Sequence, residues 1–313
     1  MPSLFIGVDG GGSHTRAVVA GEDLVPRGRG SAGPANAATR PLPHVVAAVA
    51  EAAADAAHAA LMEPGAAAGI ACGLAGVETA GVSDRVVKAL ESIYGEKRVL
   101  VTTDAKIALA GAVAGPVDGP GIVLIAGTGA IAFGRGRDGT EARAGGWGPV
   151  IGDEGSGYAI AREGLAAVVR DLDGRGGRTK IRDILFASEK VSTPDELLHR
   201  IYRTDGGASD VAAYFPLVIS AAKEGDAEAL RILAGAGEEL SLAAVTVIRK
   251  LHLEGEAFDV AMVGGVFSAG ELILRPLREK ILAVAPRARL QQPAYPPEIG
   301  AIRLALARAR SSG

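Results

Sequence analysis

A short apolar run, a glycine turn carrying hydroxyls and a second apolar run occur together twice in this sequence. The first copy is Leu4 to Ala20, LFIGVDGGGSHTRAVVA: strand-length Leu4–Val8, then Asp9, Gly10, Gly11, Gly12, Ser13, His14 and Thr15, then Arg16–Ala20. The second is Ile122–Ala126, Gly127-Thr128-Gly129 and Ala130–Gly134. A Rossmann turn or a P-loop would run from its glycines straight into a helix, and a P-loop also needs a lysine before Ser or Thr. Here β-branched residues follow and no lysine is near, so each copy reads as a hairpin. Two readings of the first hairpin stand side by side. Its tip can expose backbone N–H groups to a polyphosphate, with hydroxyls at Ser13 and Thr15 and a carboxylate at Asp9, or it can be a tight glycine turn without a ligand. The duplication favours phosphate, and it predicts two similarly folded halves.

Between the hairpins the pattern alternates. Helices are expected over Pro43–Met62, Ser83–Tyr94 and Ala105–Ala114, and strands over 68–74 and 99–103. This is an α/β order whose polar residues, Asp9 and Asp104, stand at strand ends, where ligands gather in such sheets. Arg27–Pro43 is turn-rich and reads as unpacked; its Asn36 is either a surface turn residue or a group facing a cleft. Gly115–Gly121 is the best linker, dividing the chain into 1–116 and 117–296, with the closing helix 297–313 expected to return onto the first part.

The second part opens with the Gly127 hairpin and continues into Ala144–Gly157, a glycine-dense loop that holds the only tryptophan and the pair Asp153-Glu154. Ordering so much glycine needs a partner. A sugar fits, since an aromatic ring packs on its apolar face and carboxylates accept its hydroxyl protons. The alternatives are Trp147 plugging a core and both acids opening the helix Tyr158–Val169. Helices are expected over 181–187, 193–202 and a long run 210–251 broken at Gly225-Asp226, followed by a strand, Phe258–Val263, Gly264-Gly265 and a helix from about Gly270.

Composition narrows the chemistry. The 313 residues carry a net charge of −3, which argues against a dedicated nucleic-acid surface. No apolar run reaches the roughly 18 residues needed to span a bilayer, and the start MPSLFIGVDG lacks the regions of a signal peptide, so a cytoplasmic location is expected. Cys72 is the only cysteine, which excludes intrachain disulfides, zinc clusters and iron–sulfur sites; it reads as a small buried hydrophobe.

In order and rough spacing, DGGGSHT, TTDA, AGTG, GGWGPVIGDEGSGYAI and VGGVFSAGELI resemble the N-acetylglucosamine kinase branch of the superfamily that joins actin, heat-shock chaperones and sugar kinases, grouped with BadF/BadG-type ATPases. The resemblance implies an α/β fold of two ribonuclease-H-like (actin-like ATPase) domains flanking a central cleft, with ATP and Mg²⁺ as cofactors. By position it implies Asp9 for the metal, Gly11, Gly12, Ser13, Thr15, Gly127, Thr128 and Gly129 for the phosphates, and Gly264 and Gly265 beside the adenosine. It implies Asp104 as the base toward the sugar hydroxyl, with Asn36, Gly146, Trp147 and Asp153 lining the sugar pocket. Ala130 stands where many relatives carry a serine, and the cysteines of the dehydratase-activator relatives are missing. The expected activity is transfer of the γ-phosphate of ATP to the 6-hydroxyl of an amino or N-acetylated hexose, foremost N-acetylglucosamine. The alternatives are a glucosamine, glucose or muramic-type sugar kinase, or an ATPase module acting on a partner protein. Relatives of this kind are commonly homodimers.

Overall fold

The computed structural model describes residues 3–96, 98–202 and 207–311. The chain forms two compact units: one runs to Val123 and resumes at Gln291, and the other is Leu124–Leu290. The tail of the predicted closing helix, residues 312 and 313, lies outside the described residues.

The first unit is built on a five-stranded sheet. Strands β1 (Phe5–Gly10), β2 (Thr15–Ala20) and β3 (Gly28–Ala32) precede helix α1 (Leu42–Ala59); strand β4 (Gly69–Leu74), helix α2 (Val82–Tyr94), strand β5 (Val99–Thr102) and helix α3 (Asp104–Ala112) follow. The order is β3-β2-β1-β4-β5, with β1–β2 and β2–β3 antiparallel and β1–β4 and β4–β5 parallel. Covered on both faces, β1 and β4 are almost wholly buried, which is why they read as continuous apolar runs.

Strand β3 departs from the expectation of an unpacked segment over Arg27–Pro43. Its sequence, GRGSA, has none of the β-branched residues that announce a strand. It exists because α1 lies directly on it: a Cβ at Gly30 would overlap the Ala52 carbonyl, and one at Gly28 the Ala56 carbonyl. The alanine stripe Ala52, Ala53 and Ala56 is fully buried, so small residues on both sides allow helix and strand to meet backbone to backbone.

In the second unit, strands β6 (Gly121–Ala126), β7 (Ala130–Arg135) and β8 (Glu141–Gly145) are followed by helices α4 (Gly157–Leu172), α5 (Lys180–Glu189), α6 (Pro194–Ile201), α7 (Ala208–Ala212), α8 (Phe215–Lys223) and α9 (Ala227–Lys250). Strand β9 (Phe258–Val263), helix α10 (Glu271–Val284) and strand β10 (Ala288–Gln291) complete it, and α11 (Pro297–Ser311) closes the chain. The sheet order is β10-β9-β6-β7-β8. Read from β8, each strand occupies the place of its counterpart in the first sheet, so the repeated hairpin marks a repeated topology. The expected helix run from Asp210 is three helices, α7, α8 and α9. Asp226 ends the break between the last two, its carboxylate accepting from the Ala229 N–H at 2.8 Å as the N-cap of α9.

Helix α11 belongs to the first unit. Its Ile299, Ile302 and Leu306 are buried in one cluster with Phe5, Val18, Ala71 and Ile107. Among the described residues no helix is long and apolar enough to cross a membrane.

Candidate active site

In the first unit the parallel strands end in acids. Asp9 is the next-to-last residue of β1, paired across the ladder with Arg16, and Asp104 opens α3 directly after β5. Thr103 caps that helix, its hydroxyl accepting from the Lys106 N–H at 3.2 Å, and the Asp104 carboxylate accepts from the Ala105 N–H at 2.8 Å. This local bonding fixes the Asp104 side chain at the helix N-terminus, where negative charge is favoured. Burial nevertheless raises the Asp104 carboxyl above its ordinary range, with Glu78 adding to the rise and the Ala105 N–H opposing it. The Asp9 carboxyl is pushed up to about 7, first by burial, then by Asp104 and Glu298, against the pull of Arg16. Two carboxylates held this way are poised for a cation or a proton.

The hairpin tip is held in shape by backbone bonds. The Gly11 N–H donates to the His14 carbonyl at 3.0 Å, and the Ala35 N–H donates to the Gly11 carbonyl at 3.0 Å. Thr15 is fully buried, and its hydroxyl donates to the Gly33 carbonyl at 2.7 Å, tying the hairpin to the segment after β3. That segment carries Asn36 beside Gly12: a Cβ on Gly12 would lie 3.9 Å from Asn36 Nδ2. Asn36 Oδ1 accepts from the Ala38 N–H at 2.9 Å, so the side chain is oriented by its own turn. Asp9, Asp104, Asn36 and the Gly11–Thr15 tip thus belong to one framework.

In the second unit, the Gly127 N–H donates to the Gly129 carbonyl at 2.9 Å, and the Gly157 N–H at the start of α4 donates to the Gly127 carbonyl at 2.8 Å. Asp153 is 6% exposed in a left-handed conformation, φ 62°, and its carboxylate accepts from the Ala130 N–H at 3.3 Å. A Cβ at Gly129 would stand 2.9 Å from that carboxylate, so only glycine lets the acid reach the turn. Burial raises the Asp153 carboxyl, while the Ala130 and Gly148 N–H groups oppose the rise. The alternative in which Asp153 and Glu154 open the following helix is set aside, because Ser156 is the N-cap of α4, accepting from the Ala159 N–H at 3.1 Å.

Gly264 joins this framework, since a Cβ there would overlap the Ala126 carbonyl at the entrance to the Gly127 turn. Gly265 opens a five-residue 3-10 helix, Gly265–Ala269, and the space around its missing Cβ is open; α10 itself begins at Glu271. Gly146 donates to the Ala130 carbonyl at 2.8 Å, which anchors the glycine-dense loop to β7. Trp147 does not plug a core. It is 62% exposed, with the Arg143 guanidinium 4.7 Å over its ring.

Three charges were not read as site residues from the sequence: Glu78, which acts on Asp104, and Glu298 and Arg16, which act on Asp9. Glu78 lies in the turn after β4, four residues past Leu74, so it lacks the strand-end position of Asp9. Glu298 has no local signal, because only the return of α11 brings it to β1.

The sequence model of the BadF/BadG/BcrA/BcrD ATPase family matches residues 6–305 of this chain. An N-acetylmuramic acid/N-acetylglucosamine kinase of Clostridium acetobutylicum is 34% identical over 199 residues, 64% of this chain and 64% of that protein, so the match spans just under two thirds of the relative's length. An N-acetyl-D-glucosamine kinase of Dictyostelium discoideum is 30% identical over 240 residues, 76% of this chain and 75% of that one. A solved structure from Chromobacterium violaceum, provisionally named an N-acetylglucosamine kinase, is similar with a TM-score of 0.77 at 26% identity, over 97% of this chain and 99% of that chain.

Proposed function

The chain belongs to the BadF/BadG/BcrA/BcrD ATPase family, and we propose that it is an ATP-dependent sugar kinase acting on the 6-hydroxyl of N-acetylglucosamine. The observation that carries the reading is the pair Asp9 and Asp104, partly buried acids at the carboxyl ends of strands in one sheet, each raised above its ordinary range. Partly buried carboxylates whose surroundings disfavour their charge are the expected signature of a site that receives charge.

In this reading Asp104 takes the proton of the attacking hydroxyl. The sugar oxygen bonds to the γ-phosphorus of ATP, the bond from that phosphorus to the β,γ-bridging oxygen breaks, ADP leaves, and the proton resides on the Asp104 carboxylate. The Ala105 N–H holds one carboxylate oxygen and so orients the group at the helix N-terminus. Raised affinity for a proton suits a base acting near neutral pH. In the turns Gly11–Thr15 and Gly127–Gly129 the Gly11 and Gly127 N–H groups bond the His14 and Gly129 carbonyls and so shape the backbone that meets phosphate, and Thr15 likewise acts through the shape of its hairpin. Gly264 and Gly265 offer bare backbone to the adenosine. Asn36, Gly146, Trp147 and Asp153 serve the sugar, the loop carrying the last three being fastened at Ala130.

Mg²⁺ is the metal we propose. Its usual set is one or two carboxylates, substrate phosphates and retained waters, which fits an oxygen donor such as Asp9, whose charged form burial disfavours. Bound with ATP it would neutralise charge on the transferring phosphate.

An ADP-release assay across N-acetylglucosamine, N-acetylmuramic acid, glucosamine and glucose tests the proposal, with N-acetylglucosamine expected to turn over best. Asp104→Asn should lower kcat by roughly a hundredfold or more while sugar affinity changes little. Undiminished turnover in that variant removes Asp104 from the base role, and ADP release independent of any sugar would favour the partner-driven ATPase instead.

A further inference from the structure

Strand β8 reads EARAG, and alternate residues Glu141, Arg143 and Gly145 turn to one of its faces. The acid is taken: Arg135, opposite Glu141 on β7, donates from Nη2 to its Oε1 at 2.7 Å. Arg143 stands opposite Phe133, and its backbone is pinned again where Lys250 Nζ donates to its carbonyl at 3.2 Å. No carboxylate or carbonyl among the described residues bonds its guanidinium, which lies over the Trp147 ring at 4.7 Å from the centroid. From Glu141 to Gly157 it is the single cation.

Holding the loop does not account for this pair. A cation–π contact at a ring 62% exposed is weak. The loop is already fastened by the Gly146 N–H on the Ala130 carbonyl at 2.8 Å and by the Asp153 carboxylate on the Ala130 N–H at 3.3 Å. What the ring does is fix a long side chain. A guanidinium stacked on an aromatic ring engages its flat face, and the N–H groups at its edge keep the fork that takes a carboxylate in two parallel bonds. A neutral hexosamine offers nothing to match that charge, whereas one bearing a carboxylate does.

We infer that Arg143 is a specificity-determining residue that reads an anionic substituent on the sugar, so that the substrate class includes acidic N-acetylhexosamines, such as one carrying an ether-linked lactate. This rests on the reading of Gly146, Trp147 and Asp153 as residues of the sugar pocket.

The test compares N-acetylglucosamine, N-acetylmuramic acid and the amide of that acid's lactyl carboxyl, which keeps the bulk and loses the charge. For each sugar, kcat/KM is measured at saturating ATP, and affinity by calorimetry without nucleotide. The wild type should favour the acid over the amide by roughly ten- to a hundredfold, the scale of a charge-assisted pair; Arg143→Met should bring that ratio to about one, and Arg143→Lys, which lacks the fork, to an intermediate value. If the wild type treats acid and amide alike the inference falls, and that comparison needs no variant. It falls too if Arg143→Met lowers all three sugars by one factor, the mark of a loop support, or if it weakens ADP binding and leaves the acid-to-amide ratio intact, which assigns the charge to a phosphate. Turnover of none of the sugars removes the kinase reading and this inference with it, whereas turnover of N-acetylglucosamine without a preference for the acid over the amide removes the inference alone.

Discussion

Single side chains in this protein hold together segments that are far apart in sequence. Asp226 caps α9 and also accepts from the Lys180 N–H at 2.7 Å and the Thr179 hydroxyl at 3.1 Å at the start of α5, while being 6% exposed. An ordinary cap contributes about 1 kcal/mol. Asp226→Ala strands buried donors on two helices, so a loss of about 2–4 kcal/mol is expected from urea unfolding. Cys72 shows the opposite case, a group isolated by its surroundings. Fully buried in β4, its thiol is pushed up to about 12, so it should resist thiol reagents at pH 8 and be labelled only as fast as the fold opens. The linkage has a definite sign. The unfolded thiol ionises near 9.0 and the folded one only near 12, so stability is intact below the lower value and falls as pH rises between them. Relative to Cys72→Ala, the wild type should lose stability across that window in pH-dependent unfolding. The burial of this residue was readable from GIACGL, because an apolar run with no alternation is what a strand covered on both faces requires.

Elements were readable where their own residues decide the backbone. The central strands, α1, α2 and α11 carry clear periodicity or apolar runs. Strand β3 was invisible, because its glycines serve a neighbour and weaken the strand itself. Gly30→Val tests this sharply: valine has the better strand propensity, yet its side chain would enter the backbone of α1, so marked destabilisation, about 3 kcal/mol or more, is expected in thermal melts. A propensity-driven strand would be stabilised by the same change. Strand β8 escaped in a similar way, with EARAG carrying no strand signature of its own. The acids at strand ends were legible because a polar residue closing an apolar run in an α/β order is a positional signal. Thr15 was legible only as a hydroxyl near glycines; that it bonds the Gly33 carbonyl depends on β3 being there.

At the scale of the molecule, two sheets with corresponding strand orders carry the two turns, and the first unit is closed by residues from both ends of the chain. Removing residues 297–311 takes Ile299, Ile302 and Leu306 from the cluster around Phe5, Val18 and Ala71. At about 1.5–3 kcal/mol for each large aliphatic side chain, the loss is comparable to the whole stability of a typical domain, so the truncated chain should lose the part of its circular-dichroism melt that belongs to the first unit. By itself the sequence determined the α/β class, the repeated hairpin, the acids at strand ends and the single cysteine's place in a strand, because each follows from the order of residues within a short stretch. Only the tertiary structure decided that β3 is a strand, that Trp147 stacks with Arg143 in the open and that Glu298 pairs with Arg29. Those depend on backbone approach and charge between segments far apart in the chain, and local residue order carries no record of which segments will meet.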